Sequence, residues 1–314
     1  MKKKIIKSIV FIAILLVFIT ILTYIVIPKK NSVEYGIHNA KANGIMGEKE
    51  NTIDTLVVGD SESFAAIIPL KLWNDYGFTS YICGTPNQCL QESVIFLNKA
   101  FKKQNPKLVI LESNSIYRDL GLDNSFEKIV NYAFPLSEYH SRCKKIKAYD
   151  FVPKFDYSWS DVNKGYTYSN EIDPADDSNY MQYSDKVEKI PFVNKCYLKL
   201  LNKYCENNNA KLIILSTPSV KNWNYERHNG VEKFADEEGI EYLDMNILKD
   251  EINIDWKNET RDEGDHLNHS GALKATAYLG KYLNEKNVLE NHKNDENYSS
   301  WNDNLTKIDS EESL

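Results

Sequence analysis

Thr55-Leu56-Val57-Val58-Gly59-Asp60-Ser61-Glu62-Ser63-Phe64 is the stretch on which the architecture turns. Its first four residues form a short apolar run suited to a strand buried on both faces, and Gly-Asp-Ser ends that run abruptly. A serine just past a strand, preceded by glycine and leading into a helical pattern, belongs at the carboxyl edge of a parallel sheet, where α/β proteins bind ligands. There the first N–H groups of the helix can stabilise an oxyanion. The pattern is not the G-x-S-x-G elbow, because the second residue after Ser61 is Ser63. The bland alternative is that Ser61 or Ser63 simply caps the helix.

Outward from this stretch, comparable apolar runs occur at Ser80–Cys83, Leu108–Glu112, Leu212–Ser216 and Glu241–Asp244. Helical patterns cover Gln91–Gln104, Val193–Asn207, Val231–Glu238 and Ser270–Asn287. The alternation predicts an α/β domain over residues 52–288, with a five-stranded parallel sheet covered on both faces. The rhythm fails over about 115–190, a stretch rich in Tyr, Trp and Asp, which reads as an insertion or lid over the strand ends. Residues 31–51 read as a polar juxtamembrane linker. Residues 289–314, rich in Asn, Asp, Glu and Ser, read as a loosely ordered acidic tail in which Trp301 is the residue able to dock.

Residues 1–30 are of another kind. Ser8 to Ile27 carry no charge, and at about 1.5 Å per residue the stretch spans the hydrocarbon thickness of a bilayer. Four lysines precede it and two follow, which favours a cytoplasmic N-terminus and an exported body. The exit lacks a small-x-small site, so an uncleaved signal anchor is expected rather than a cleaved signal peptide. The whole chain has a formal charge of −7, but those six lysines belong to the anchor; the other 32 basic residues face 45 acidic ones, a net of −13. Such a body, without a basic stripe interleaved with aromatics, argues against nucleic acid as a partner. Five cysteines without a CxxC pair speak against a disulfide framework or a zinc site, although one disulfide is open. No P-loop, GxGxxG or HExxH occurs, so nothing asks for a metal or nucleotide cofactor.

Three further residues fall where the chemistry of Ser61 would need them. Gly84, past the second strand, can bring a backbone N–H to an oxyanion, and Asn114, past the third, can add a side-chain amide. Alone, these would read as a turn glycine and an Asx turn. Arg261-Asp262-Glu263-Gly264-Asp265-His266-Leu267-Asn268-His269-Ser270-Gly271-Ala272 follows the last strand and opens the last helix. His266 can take the Ser61 proton, with an upstream carboxylate orienting the ring. Asp265 adjoins His266, and neighbouring side chains of an extended chain point apart. Asp262 can fold back if Gly264 supplies a turn, so the acids rank Asp262, Glu263, Asp265. Asn268 or Ser270 would cap the helix, and His140 is a secondary candidate with a structural role.

Together these residues resemble the SGNH (GDSL-like) hydrolase superfamily. Gly59-Asp60-Ser61-Glu62-Ser63 is similar to its first block, Gly84 to its second, Asn114 to its third and His266-Leu267-Asn268 with Gly271 to its last. The resemblance spans residues 54–285 and implies a flavodoxin-like sheet with Ser61, His266 and an acid as the catalytic set, and Gly84 and Asn114 in the oxyanion hole. Two departures stand out: Glu263 holds the usual aspartate position three residues before the histidine, and Glu112-Ser113-Asn114 replaces Gly-x-Asn-Asp. The anchor and the Asp-His-Leu-Asn-x-x-Gly-Ala ending resemble the exported, DltD-like cell-surface polysaccharide O-acyltransferase branch. That resemblance implies an acylated glycan or envelope polymer as substrate and a multi-pass membrane-bound O-acyltransferase as partner.

The expected function is therefore a membrane-anchored extracytoplasmic serine esterase or O-acyltransferase. Hydrolysis and transfer differ only in what reaches the acyl-enzyme. An acidic body would not concentrate an anionic polymer by charge, which favours a neutral glycan. The alternative is a non-catalytic glycan-binding or assembly protein on a degenerate fold of the same kind.

Overall fold

Thr55–Gly59 (β1), Ser80–Gly84 (β2), Leu108–Glu112 (β3), Lys211–Ser216 (β4) and Glu241–Asp244 (β5) form one sheet in the order β2-β1-β3-β4-β5. All four pairings are parallel. The computed structural model describes residues 2–118, 128, 130–151 and 154–312. β1 and β3 are buried along their whole length, as continuous aliphatic runs covered on both faces must be. The order places the switch point beside β1 and β3, so the ends of those strands frame a crevice. At the end of β1 a side chain is sterically excluded: a Cβ on Gly59 would lie 2.5 Å from the Glu112 Cβ.

The chain divides into two units. One comprises Met1–Ala40 with Gly121–Trp159, the other Lys41–Leu120 with Ser160–Leu314. In the first unit, Lys2–Val26 (α1) is a single 25-residue helix containing an 18-residue stretch of mean hydropathy 3.1, long and apolar enough to cross a membrane. Its end is tied to a buried pair, Arg142 with Asp150 at 2.7 Å, because Arg142 also donates to the Val26 carbonyl. Asn31 and Trp159 exchange two hydrogen bonds, Nδ2 to O at 2.6 Å and N to Oδ1 at 3.1 Å. His140 belongs to this unit and is exposed, its Nδ1 2.6 Å from the Ser137 carbonyl.

In the second unit the helices of six or more residues among the described residues are Ser61–Ala66 (α2), Pro69–Tyr76 (α3), Leu90–Ala100 (α4), Phe192–Asn207 (α5), Tyr225–Glu238 (α6), His269–Lys286 (α7) and Ser299–Glu312 (α8). α4 and α5 pack on each other and on β1 and β4, while α7 packs on α2 and α3. Thr276 of α7 bridges Ala66 O (3.2 Å) and Ile68 N (2.9 Å), which fixes α2 against α7. α6 starts six residues before its expected Val231, because Asn224 caps it by accepting from Arg227 N at 2.9 Å. The polar first turns of α6 hide this start from hydrophobic periodicity.

Three expectations about the connecting segments change. The linker reading of 31–51 does not hold for 41–51: Ala42 and Ile45 are in the hydrophobic core, Gln104 Nε2 donates to Lys49 O at 2.9 Å and Asn51 N donates to Lys103 O at 3.1 Å. The stretch 115–190 is not one insertion. Its part from Gly121 to Trp159 goes with the N-terminal unit, while 115–120 and 160–190 belong to the sheet domain. There Lys164 O accepts from Ile82 N (2.9 Å) at the β2 edge, Thr167 N donates to Phe64 O (2.8 Å) and Asp173 N to Thr260 O (3.0 Å). The tail is packed. Trp301 is buried against Trp73 with ring centres 5.5 Å apart, and Trp73 Nε1 donates to Asn302 at 2.9 Å. All five cysteines are free thiols, and burial pushes the Cys83 thiol up to about 12.

Candidate active site

Ser61 is the first residue of α2, so its N–H has no acceptor within that helix. The helix starts there because Asp60 caps it, Oδ1 accepting from Glu62 N at 3.1 Å. The other Asp60 oxygen is saturated: Asn114 Nδ2 and Arg118 Nε each donate to Oδ2 at 2.8 Å, and Arg118 Nη2 lies at 2.6 Å. Asp60 is fully buried, so this one carboxylate ties the end of β1 to the end of β3. Ser63 is part of the scaffold, its hydroxyl donating to Asp60 O at 2.6 Å.

Gly84 aligns with Gly59 at the adjacent strand end, and a Cβ there would meet the Ser63 hydroxyl at 2.5 Å. Asn114 is buried. One Nδ2 hydrogen goes to Asp60 and its Oδ1 accepts from Arg227 Nη1 at 3.4 Å, so a single amide hydrogen is left for an oxyanion.

The histidine sits on a two-stranded antiparallel hairpin, Thr260–Arg261 (β6) with His266–Leu267 (β7). Its turn is tightly wound: Asp262 and Glu263 both have φ of +55° and Gly264 +88°. Left-handed conformations cost a side-chain-bearing residue roughly 1–2 kcal/mol each, and here they fold Asp262 back over the ring. Asp262 Oδ2 lies 2.8 Å from His266 Nδ1, Asp265 Oδ2 is 3.9 Å away, and Glu263 instead pairs with Lys221 at 3.0 Å. Lys221 Nζ also holds the Asp262 carbonyl at 2.6 Å. With Nδ1–H given to Asp262, Nε2 carries the lone pair; it is out of solvent contact and has no partner among the described residues. α2 packs directly on β7. No hydrogen bond joins the Ser61 hydroxyl to the imidazole among the described residues, so proton transfer requires the hydroxyl to turn onto Nε2.

Gly264 makes this turn possible. A Cβ on it would lie 2.7 Å from that of Ala175, at a φ that favours glycine. Gly264→Ala is expected to cost about 2 kcal/mol and to lower ester turnover more than stability, since Asp262 is displaced with the turn. Urea midpoints read beside kcat would check it.

Several residues that shape the site carry no sequence signal. Asn222 Nδ2 donates to Glu62 at 2.6 Å and also to Asp265, joining α2 to the histidine hairpin. Arg227 donates to Asn222 O at 2.7 Å, pairs with Glu188 at 3.2 Å and lies over the Tyr117 ring. The two Asn222 side-chain contacts span 160 and 43 residues of the chain, a range at which local spacing is silent.

Glu62 and Glu112 are buried acids behind Ser61. Burial first, then the charge of Asp60, pushes both carboxyls well above the usual range, which favours the protonated form of each in the folded chain. Raised folded values mean that the stabilising contribution is complete below the unfolded value near 4.5 and declines as pH rises above it. Glu62→Gln removes one such group. Its stability advantage over the parent is expected to grow by about 1.4 kcal/mol per pH unit above 4.5 until the folded carboxyl ionises. Urea titrations between mildly acidic and mildly alkaline pH test this; a pH-independent difference would contradict it.

No family model and no curated protein sequence matches the chain. Among solved structures it is similar in fold to the lipase/acylhydrolase from Enterococcus faecalis, with 10% identity over 74% of this chain and 97% of that one, and a TM-score of 0.40. It is similar also to the psychrotrophic esterase EstA from Pseudoalteromonas sp., with 11% identity, 74% and 99% coverage, and a TM-score of 0.39. A GDSL-like lipase from Bacteroides thetaiotaomicron matches at 10% identity, 74% and 88% coverage, and a TM-score of 0.33.

Proposed function

We propose that this chain is a membrane-anchored serine esterase or O-acyltransferase acting outside the cytoplasm on acyl esters of a cell-envelope glycan or polymer. The observation that carries the reading is the Asp262–His266 pair, held at 2.8 Å with Nε2 left as an acceptor beside the helix that Ser61 opens. Ser61 attacks the ester carbonyl as His266 takes its proton, and Asp262 holds the ring and stabilises the imidazolium. The Ser61 and Gly84 N–H groups and the free Asn114 amide hydrogen receive the oxyanion. The tetrahedral intermediate collapses as the imidazolium gives its proton to the leaving alcohol, and the acyl-enzyme then passes its acyl group to water or to a sugar hydroxyl activated by the same, now neutral, histidine. α1 anchors the body with its N-terminus in the cytoplasm, following the lysine imbalance of its flanks.

A fluorophosphonate tests this reading. It is expected to label Ser61, identified by the mass of its peptide, and labelling should slow by roughly two to four orders of magnitude in Asp262→Asn and much less in Asp265→Asn. The second reading, a non-catalytic glycan-binding or assembly protein, is favoured by the unbonded and solvent-excluded Nε2. A chain that is folded and never labelled would decide for it.

A further inference from the structure

We propose that Arg261 is the contact for an anionic group, a carboxylate or phosphate carried by the substrate close to the scissile ester. This rests on the esterase reading of the site and sharpens its substrate class. Arg261 is the cross-strand partner of His266 in the hairpin. Thr260 and Leu267, the other pair, are buried, so by the alternation of strands Arg261 and His266 project together from the opposite face. That is the face on which Asp262 meets the imidazole.

The Arg261 guanidinium has no acceptor among the described residues, although its Nε is out of solvent contact. The nearby acids are committed elsewhere. Asp262 is on His266, Glu263 on Lys221, Asp265 on Asn222, and Glu259 on Lys274 at 2.7 Å. A partly desolvated cation whose four flanking acids in the chain, Glu259, Asp262, Glu263 and Asp265, all have other partners is an unusual arrangement, because burying an unpaired charge is costly. It is the arrangement a site needs when the counter-charge arrives with the ligand. The planar fork of arginine suits the two oxygens of a carboxylate or phosphate. The −13 charge of the body opposes long-range capture of anions, but it is screened beyond about 8 Å at physiological salt, whereas Arg261 acts at contact.

The test uses the full chain in a non-ionic detergent. Inorganic phosphate and acetate are each compared with sodium chloride at matched ionic strength for their effect on the thermal midpoint. In parallel, kcat/KM is measured for para-acetoxybenzoate, which carries a carboxylate, and for neutral para-nitrophenyl acetate. At least one anion should raise the midpoint of the parent beyond the chloride control, and which one does so separates phosphate from carboxylate recognition. Arg261→Gln and Arg261→Met should lose that shift, and their ratio of anionic to neutral ester turnover should fall roughly tenfold. Arg261→Lys should keep part of both. No anion effect in the parent, or an equal effect in parent and variants, overturns the proposal. A parent that hydrolyses neither ester counts against the esterase reading instead, and the midpoint arm still decides Arg261.

Discussion

Ser61→Ala should lower hydrolysis of para-nitrophenyl acetate by roughly 10³–10⁶-fold, the scale on which a serine nucleophile is lost from a catalytic set. His266→Ala should fall on the same scale, and the double variant should be no worse than either, because residues that act as one unit are not additive. Stability separates this from a folding defect. The Ser61 hydroxyl makes no hydrogen bond among the described residues and Asp60 does the capping, so Ser61→Ala should shift the unfolding free energy by less than about 0.5 kcal/mol. Rates read with urea midpoints on the same preparations check both halves. Retained turnover in Ser61→Ala would end the catalytic reading.

Asp60→Ala should show the largest loss of stability. It removes a helix cap worth about 1 kcal/mol and strips a fully buried carboxylate from Asn114 and Arg118. Breaking a buried pair costs about 3–5 kcal/mol; Arg118 is 30% exposed and recovers part of its hydration, so a total of about 4 kcal/mol is expected. Asp60→Asn keeps the capping oxygen but puts an amide donor where Oδ2 accepted from Asn114 and Arg118, so it should save only the cap, about 1 kcal/mol of the loss. Turnover should fall in both, since Asn114 is no longer held. A loss below about 1 kcal/mol in Asp60→Ala would show that the carboxylate is not what joins β1 to β3.

Much of the sheet was legible because parallel strands are buried on both faces and appear as uninterrupted apolar runs. Thr55–Val58 and Leu108–Glu112 were found to within a residue. α3 went unread, being short, with Pro69 at its start and Gly77 just past its end as its main signals. The tail was misjudged because its composition is polar throughout, whereas its placement rests on Trp301 against Trp73 and on His292 2.6 Å from Asp54. Among the acids, the turn at Gly264 puts Asp262 on the ring as ranked, but the other two places are exchanged: Asp265 comes within 3.9 Å while Glu263 turns away to Lys221.

By itself, the sequence determined the α/β class, the strand that delivers Ser61, the apolar N-terminal helix and the segment that carries His266. These are written in runs of neighbouring residues, where burial and turn chemistry act locally. Only the tertiary structure decided that Asp60 is the tie between strand ends, that Asn222 joins α2 to the hairpin, and that Arg261 has no counter-charge among the described residues. Those properties depend on which groups meet after the chain has folded, across separations of up to 160 residues. A side chain's partner is a property of space, and charge counted along the chain cannot show which arginine is left unpaired.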